Sequence, residues 1–257
     1  MQEEKRQMKI RSIGACAPVT KVSPKVIDQT NLQDTAKEED IKKGALQAKE
    51  LDFRSFVTYE CYTSLVRPLL LHSNVLTVSV CDFPKGRSDT INRITQIKHQ
   101  LELGAEEVDI VASYHFLLEG NERYFKTDIR EITEAISGKP LKIILEVDYL
   151  TEEQIREATR IICEVVKERN RKNIIIKTKT GFAKTETPMP NLKAVKIIKE
   201  ELERQGMYAK DIVEIKTGKI GIKASGSIKT KEDAIALLEA GAHILGTSSG
   251  VQIVSSF

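Results

Sequence analysis

Tryptophan is absent from this 257-residue chain, cysteine and histidine number four each, and aromatic residues make up only 5%. The cysteines, Cys16, Cys61, Cys81 and Cys163, are scattered, and none forms a CxxC pair. Their spacing argues against a zinc ribbon and a disulfide framework and points to buried free thiols in a reducing cytoplasm. No apolar run approaches the ~20 residues of a membrane span. The N-terminal MQEEKRQMKIRS is charged, with no apolar stretch behind it to make a signal peptide. Forty basic against 37 acidic residues leave a net charge of +3, too even to argue for nucleic acid or an anionic membrane as partner. A hydrophobic fraction of 40% is enough for a sizeable core.

The chain does have a regular alternation of short β-branched runs with longer amphipathic stretches. It predicts strands over 26–30, 55–59, 76–82, 107–112, 141–147, 173–178, 220–224 and 243–247. Helices are expected over 37–51, 62–71, 89–103, 124–136, 152–169, 191–205 and 231–240. Thr35 before Glu38 and Thr230 before Asp233 read as capping boxes, and Gly104 and Gly241 as helix C-terminal glycines. Eight strands with helices between them predict a single-domain (β/α)8 barrel, a TIM barrel of the α/β class, over 25–257. A doubly wound open sheet is the competing architecture, but the loop after the first strand has no glycine-rich dinucleotide fingerprint. Residues 1–24 read as an N-terminal extension or a lid over the bottom of the barrel. The stretch 208–219 exceeds a short helix–strand link, and both an extra strand and a loop insertion fit it.

Two strands end on lysine: Asn173-Ile-Ile-Ile-Lys177 and Ile220-Gly-Ile-Lys223. Apolar strands seldom carry a buried ammonium. In a barrel all C-terminal strand ends open on one face, which makes the sixth-strand Lys177 and the seventh-strand Lys223 neighbours. Alternation turns Asp109 in the fourth strand inward, together with Glu107 and Val111. Two lysines and an aspartate at one mouth point to Schiff-base chemistry. A free lysine is almost wholly protonated at neutral pH, and a second ammonium plus partial desolvation lowers its pKa so that the amine can attack an aldehyde. Asp109 is then the candidate for moving protons. Taken singly, a strand-end lysine is as readily a surface cation and an aspartate a salt-bridge partner. The small residues after the last two strands, Ser225-Gly226-Ser227 and Gly246-Thr-Ser248-Ser249-Gly250, stand where such barrels hold a phosphate on backbone N–H groups.

The chain resembles the deoxyribose-phosphate aldolases in seven ordered motifs between Asp28 and Val251. They are Asp28-Gln-Thr30-Asn-Leu32, Phe83-Pro84-Lys-Gly86, Gly104-Ala-Glu-Glu-Val-Asp109, Leu141-Lys142-Ile-Ile-Leu-Glu146, Ile176-Lys177-Thr-Lys-Thr-Gly181-Phe182, Gly221-Ile-Lys223-Ala-Ser-Gly226 and Gly246-Thr-Ser-Ser249-Gly250. The resemblance implies reversible cleavage of 2-deoxy-D-ribose 5-phosphate to D-glyceraldehyde 3-phosphate and acetaldehyde, with no metal or other cofactor. It implies Lys177 as the Schiff-base lysine, Lys223 as the lysine that perturbs it, and Asp109 in the proton relay. Asp28, Thr30 and Lys142 fall on supporting positions. Gly181, Gly226, Ser227, Gly246, Ser248 and Ser249 are the candidate phosphate-binding residues. His72, His99, His115 and His243 are dispersed and read as solvated or structural. A homo-oligomer, dimer or tetramer, is expected.

Departures from the family pattern are Lys179 in place of a small hydroxyl residue, Ser227 in place of a second glycine, Lys229 at the following basic position, and Val57 in place of a cysteine. The chain also stops at Phe257, without the tyrosine-bearing tail of some members. Alternation aims Lys179 the same way as Lys177, as a third cation at the mouth, and Ser227 suits a phosphate loop only at negative φ. These departures leave two alternatives open. One is a related Schiff-base aldolase for another phosphorylated sugar, the other a weakly active barrel that binds sugar phosphates.

Overall fold

In the computed structural model, residues 21–255 are described. Most of the predicted extension, with Cys16, and the C-terminal Phe257 lie outside them. Eight parallel strands close into a barrel in sequence order: β1 Ile27–Asn31, β2 Ser55–Thr58, β3 Leu76–Cys81, β4 Glu107–Val111, β5 Leu141–Ile144, β6 Ile174–Lys177, β7 Gly221–Ser225 and β8 Ile244–Thr247. β8 pairs back onto β1, with Asp28 opposite Gly246, and this closure excludes the open sheet. The seven expected helices surround it, each within a few residues of its predicted ends. Among the described residues three further α-helices, His115–Leu118, Ile212–Ile215 and Gly250–Ser255, are too short to leave a periodic signal. No helix among the described residues is long and apolar enough to cross a membrane.

Local chemistry explains where the elements begin and end. Thr230 caps the helix Lys231–Ala240 as expected, taking the Asp233 N–H on Oγ1 while Asp233 takes the Thr230 N–H, both at 3.1 Å. Thr35 does not cap. It sits in a turn closed by the Ala36 N–H on the Gln33 carbonyl, and the helix Glu38–Glu50 starts later, with Asp40 accepting the Lys37 N–H at 3.0 Å. Gly104 and Gly241 take the left-handed φ values, 98° and 116°, that end their helices without the Cβ clash. His243 falls just before β8. Its ring accepts the Ile222 N–H at 3.0 Å and meets the Ala209 carbonyl at 2.9 Å, a structural role in which burial lowers its pKa. Of the cysteines, Cys81 and Cys163 are buried, but Cys61 is exposed on the turn after β2.

The stretch 208–219 is neither a full strand nor a plain loop. Tyr208 makes one isolated bridge to Ile220, and the helix Ile212–Ile215 drives Ile215 under the barrel. There Ile215 and Ala209 pack with Ile175 of β6 and Ile244 of β8. Gly221 is what admits this plug, since a Cβ there would stand 2.4 Å from the Ile215 Cδ1. A second small apolar cluster, Leu32, Val57, Val78 and Val80, packs against Tyr59 and Phe83.

Candidate active site

Between the Ile215 plug and the open mouth lies a layer of charge. Asp109 is fully buried, and its carboxylate accepts from three lysines. Lys177 and Lys223 each donate to Oδ2 at 2.9 Å, and Lys142 donates to Oδ1 at 2.9 Å. The register sets these neighbours: Lys177 is opposite Lys223 across β6 and β7, and Asp109 opposite Lys142 across β4 and β5. Lys223 also reaches Asp28 at 2.5 Å, and Lys142 reaches Glu107 at 2.5 Å. Arg54, just before β2, bonds Asp28 at 2.8 Å and grips Glu107 with both terminal nitrogens, at 2.9 and 2.5 Å. Ser55 donates to Asp28 at 2.6 Å. Gly246 makes room for the second lysine, because a Cβ there would stand 2.8 Å from the Lys223 Cε.

Four cations, Arg54, Lys142, Lys177 and Lys223, thus face three carboxylates, Asp28, Glu107 and Asp109. The layer is neutral when one cation gives up its proton. Burial, helped by the ammoniums of Lys223 and Lys142 and opposed by Asp109, lowers the Lys177 amine to about 8. Burial alone would also depress Lys142, but Asp109, Glu107 and Asp28 outweigh it and raise its pKa. Burial would raise Asp109, yet Lys142, Lys177 and Lys223 pull it far below the usual carboxylate range. Lys177 therefore loses its proton more readily than Lys142, and roughly a tenth of it is free amine at pH 7. It also stands at the cleft, with the Phe83 ring 5.9 Å from its Nζ.

The cleft above the layer has a volume of about 430 Å³. Thr30 and Lys177 line it with Gly226, Ser227, Gly246, Ser248 and Ser249. Gly181 lies behind this wall, and a Cβ on it would touch the Gly226 Cα at 3.5 Å. Loop eight is held by Gln29, which donates to the Ser248 carbonyl and accepts the Gly250 N–H, both at 3.1 Å. The Ser249 N–H is taken by the Thr247 hydroxyl at 2.9 Å. Among the described residues no group of three or more His, Cys, Asp or Glu side chains is arranged to hold a metal ion.

The family model of the DeoC/LacD family aldolases matches residues 23–256. This chain belongs to that family. A deoxyribose-phosphate aldolase of Clostridium novyi is 38% identical over 90% of this chain and 94% of its own length. Among solved structures, a candidate deoxyribose-phosphate aldolase from Coccidioides immitis superposes with a TM-score of 0.81 at 26% identity, covering 98% of this chain and 95% of that one. The tetrameric deoxyribose phosphate aldolase of Aeropyrum pernix gives 0.73 at 26% identity, covering 91% and 90%.

Two departures from the DeoC pattern turn out differently from their sequence reading. Lys179 is not a third cation at the mouth. Its ammonium is paired with Asp148 at 2.5 Å and donates to the Met189 carbonyl at 2.8 Å. The strand ends at Lys177, so the alternation that aimed Lys179 no longer applies. Its stem passes beneath Gly226, where a Cβ would meet the Lys179 Cδ at 2.9 Å. Lys179→Ser is therefore expected to leave the pH–rate profile in place and to cost ~1–3 kcal/mol in a urea melt, since the part-buried Asp148 loses its partner. A profile that moves would return Lys179 to the mouth. Ser227 takes φ 56°, against the negative φ that a serine there prefers, a conformation costing ~1–2 kcal/mol for a residue with a Cβ.

Three residues with a part in the site had no assigned role in the sequence. Glu107 shares the inward face of Asp109, so its signal was present. Arg54 left none, because an arginine at a strand start reads as a surface residue. Glu146, in left-handed conformation at φ 54°, accepts the Thr180 hydroxyl and its N–H, at 3.3 Å for the latter, and burial raises its pKa.

Proposed function

We propose that this chain is a class I aldolase that cleaves 2-deoxy-D-ribose 5-phosphate reversibly to D-glyceraldehyde 3-phosphate and acetaldehyde. The observation that carries the reading is a single lysine, Lys177, lowered to about 8 at the cleft end of a layer with one cation in excess. The neutral Lys177 amine attacks the C1 aldehyde of the open-chain sugar, and loss of water gives an iminium. The C3 hydroxyl gives up its proton, the C2–C3 bond breaks, and its electron pair moves into the iminium to form an enamine. Glyceraldehyde 3-phosphate leaves. Protonation of the enamine at C2 and hydrolysis release acetaldehyde and return the amine.

Asp109 takes a narrower role than that of a direct acid. A carboxylate held so low does not carry a proton at neutral pH. It fixes three ammoniums, and the mobile protons are those of the lysines. Lys223 helps burial lower the Lys177 amine, so that a usable fraction is unprotonated near neutral pH. Asp28 and Lys142 hold Lys223 and Asp109 in place, and Thr30 lines the cleft beside them. Gly226, Gly246, Ser248 and Ser249 form the phosphate end, with Ser227 lining the cleft at a positive φ that fails the condition set for it in a phosphate loop, Gly181 shaping the wall behind, and Lys229 and Lys43 supplying positive charge at the rim. The protein works in the cytoplasm as a homo-oligomer, dimer or tetramer, a reading supported by the tetrameric Aeropyrum pernix relative.

The direct test is incubation of purified protein with 2-deoxy-D-ribose 5-phosphate, following both aldehydes. Release of neither, with the fold intact, contradicts the proposed substrate. Lys223→Leu is a sharper probe of roles. Removing that ammonium favours protonated Lys177, so the acid limb of the pH–rate profile is expected to move up by ~1 pH unit or more. An unshifted limb removes Lys223 from its role.

A further inference from the structure

We infer that Arg54, at the floor of the charged layer and out of reach of the substrate cleft, is a positioning residue that favours loss of the Lys177 proton by satisfying Asp28 and Glu107. The inference rests on Lys177 being the nucleophile. Arg54 does not touch Lys177, and its effect passes through shared partners. Glu107 is gripped by both Arg54 nitrogens, and Asp28 takes a third bond from them. Lys142 and Lys223, which also touch Asp28 and Glu107, are then free to place their charge on Asp109. Their ammoniums oppose the pull of Asp109 on Lys177, which donates to its Oδ2 at 2.9 Å, and Lys177, whose ion pair is with that one carboxylate among the described residues, is the lysine whose proton is least held.

Without Arg54, three cations face three carboxylates, and the layer is neutral only while Lys177 keeps its proton. Asp28 and Glu107 then draw Lys223 and Lys142 toward themselves, and Asp109 turns its charge on Lys177. One charge at ~10 Å in an interior of effective dielectric ~20 is worth about one pH unit.

The groups around Lys177 are Asp28 from β1, Arg54 before β2, Glu107 and Asp109 from β4, Lys142 from β5, and Lys223 from β7. On β3, Cys81 is buried, and burial pushes its thiol up, so it stays neutral. On the loop after β5, Glu146 bonds Thr180 and has no ion pair to the layer among the described residues. Lys179 and Asp148 neutralise each other. β8 brings no charged group to the layer. These last groups are untouched in every variant below, so they cancel in the comparison.

The experiment reads Lys177 itself. The full chain is treated with acetaldehyde and cyanoborohydride across a pH series, and the rate of alkylation at Lys177 is followed by peptide mass spectrometry. Arg54→Met is expected to move the midpoint up by ~1 pH unit, and Glu107→Gln to move it down by a similar amount. Arg54→Met/Glu107→Gln restores the excess of one cation and is expected to return the midpoint to that of the unaltered protein. Arg54→Lys keeps the charge and leaves the midpoint in place. If Arg54 only braces the barrel, the double variant is no closer to the parent than the singles, and that result overturns the inference. Should Arg54→Met fail to fold, Glu107→Gln alone decides, because an unmoved or raised midpoint contradicts the account. Predicted midpoints in a protein that cleaves no deoxyribose 5-phosphate would overturn the proposed substrate and leave this inference standing.

Discussion

Lys177→Met lowers deoxyribose 5-phosphate cleavage by roughly 10⁴-fold or more, since no other amine in the layer is free to form the iminium. Lys142 and Lys223 are each tied to at least two carboxylates, whereas among the described residues Lys177 is paired with Asp109 alone. The same substitution is expected to leave a urea melt within ~1 kcal/mol of the parent. Methionine fills the volume of the lysine stem, the remaining three cations match three carboxylates, and Asp109 keeps two of its three donors. Steady-state release of glyceraldehyde 3-phosphate and an equilibrium melt check both halves. A variant that stays within tenfold of the parent rate moves the nucleophile elsewhere.

Asp109→Asn has the largest expected effect on stability, a loss of ~3–5 kcal/mol, because a buried ion cluster loses the partner its charges share. Four cations then face two carboxylates, and Lys142, Lys177 and Lys223 repel one another inside the barrel. Turnover falls as well, since nothing orients the lysines. Adding Lys177→Met to Asp109→Asn is expected to recover part of the lost stability, as one surplus ammonium is removed. A single variant as stable as the parent contradicts the charge layer. The layer also sets the acid behaviour. The folded-state pKa values of Asp28, Glu107 and Asp109 are lowered. Their contribution is complete above the unfolded carboxylate range near ~4 and is lost as the pH falls through the lower folded values.

The alternation was legible in the sequence because its strands and helices have different hydrophobic periods, whereas an open sheet shares that alternation and only the β8–β1 pairing closes the barrel. The strand-end lysines were legible as a pair: one lysine at a strand end reads as readily as a surface cation, but two at the ends of neighbouring apolar strands meet on one face. Lys179 was misread because period-two alternation holds only inside a strand, and β6 stops at Lys177. Thr35 was misread because a turn competed for it. The plug formed by Ile215 had no periodic signal in a four-residue helix. Arg54 was invisible because its partners, Asp28 and Glu107, are distant in sequence and meet it only once the barrel closes.

Borohydride reduction in the presence of acetaldehyde tests the central claim most directly. An N-ethyl group is expected on Lys177, located by peptide mass spectrometry, and absent from Lys142, Lys179 and Lys223. Saturating acetaldehyde that leaves Lys177 unmodified, or that modifies Lys223 instead, would contradict the account.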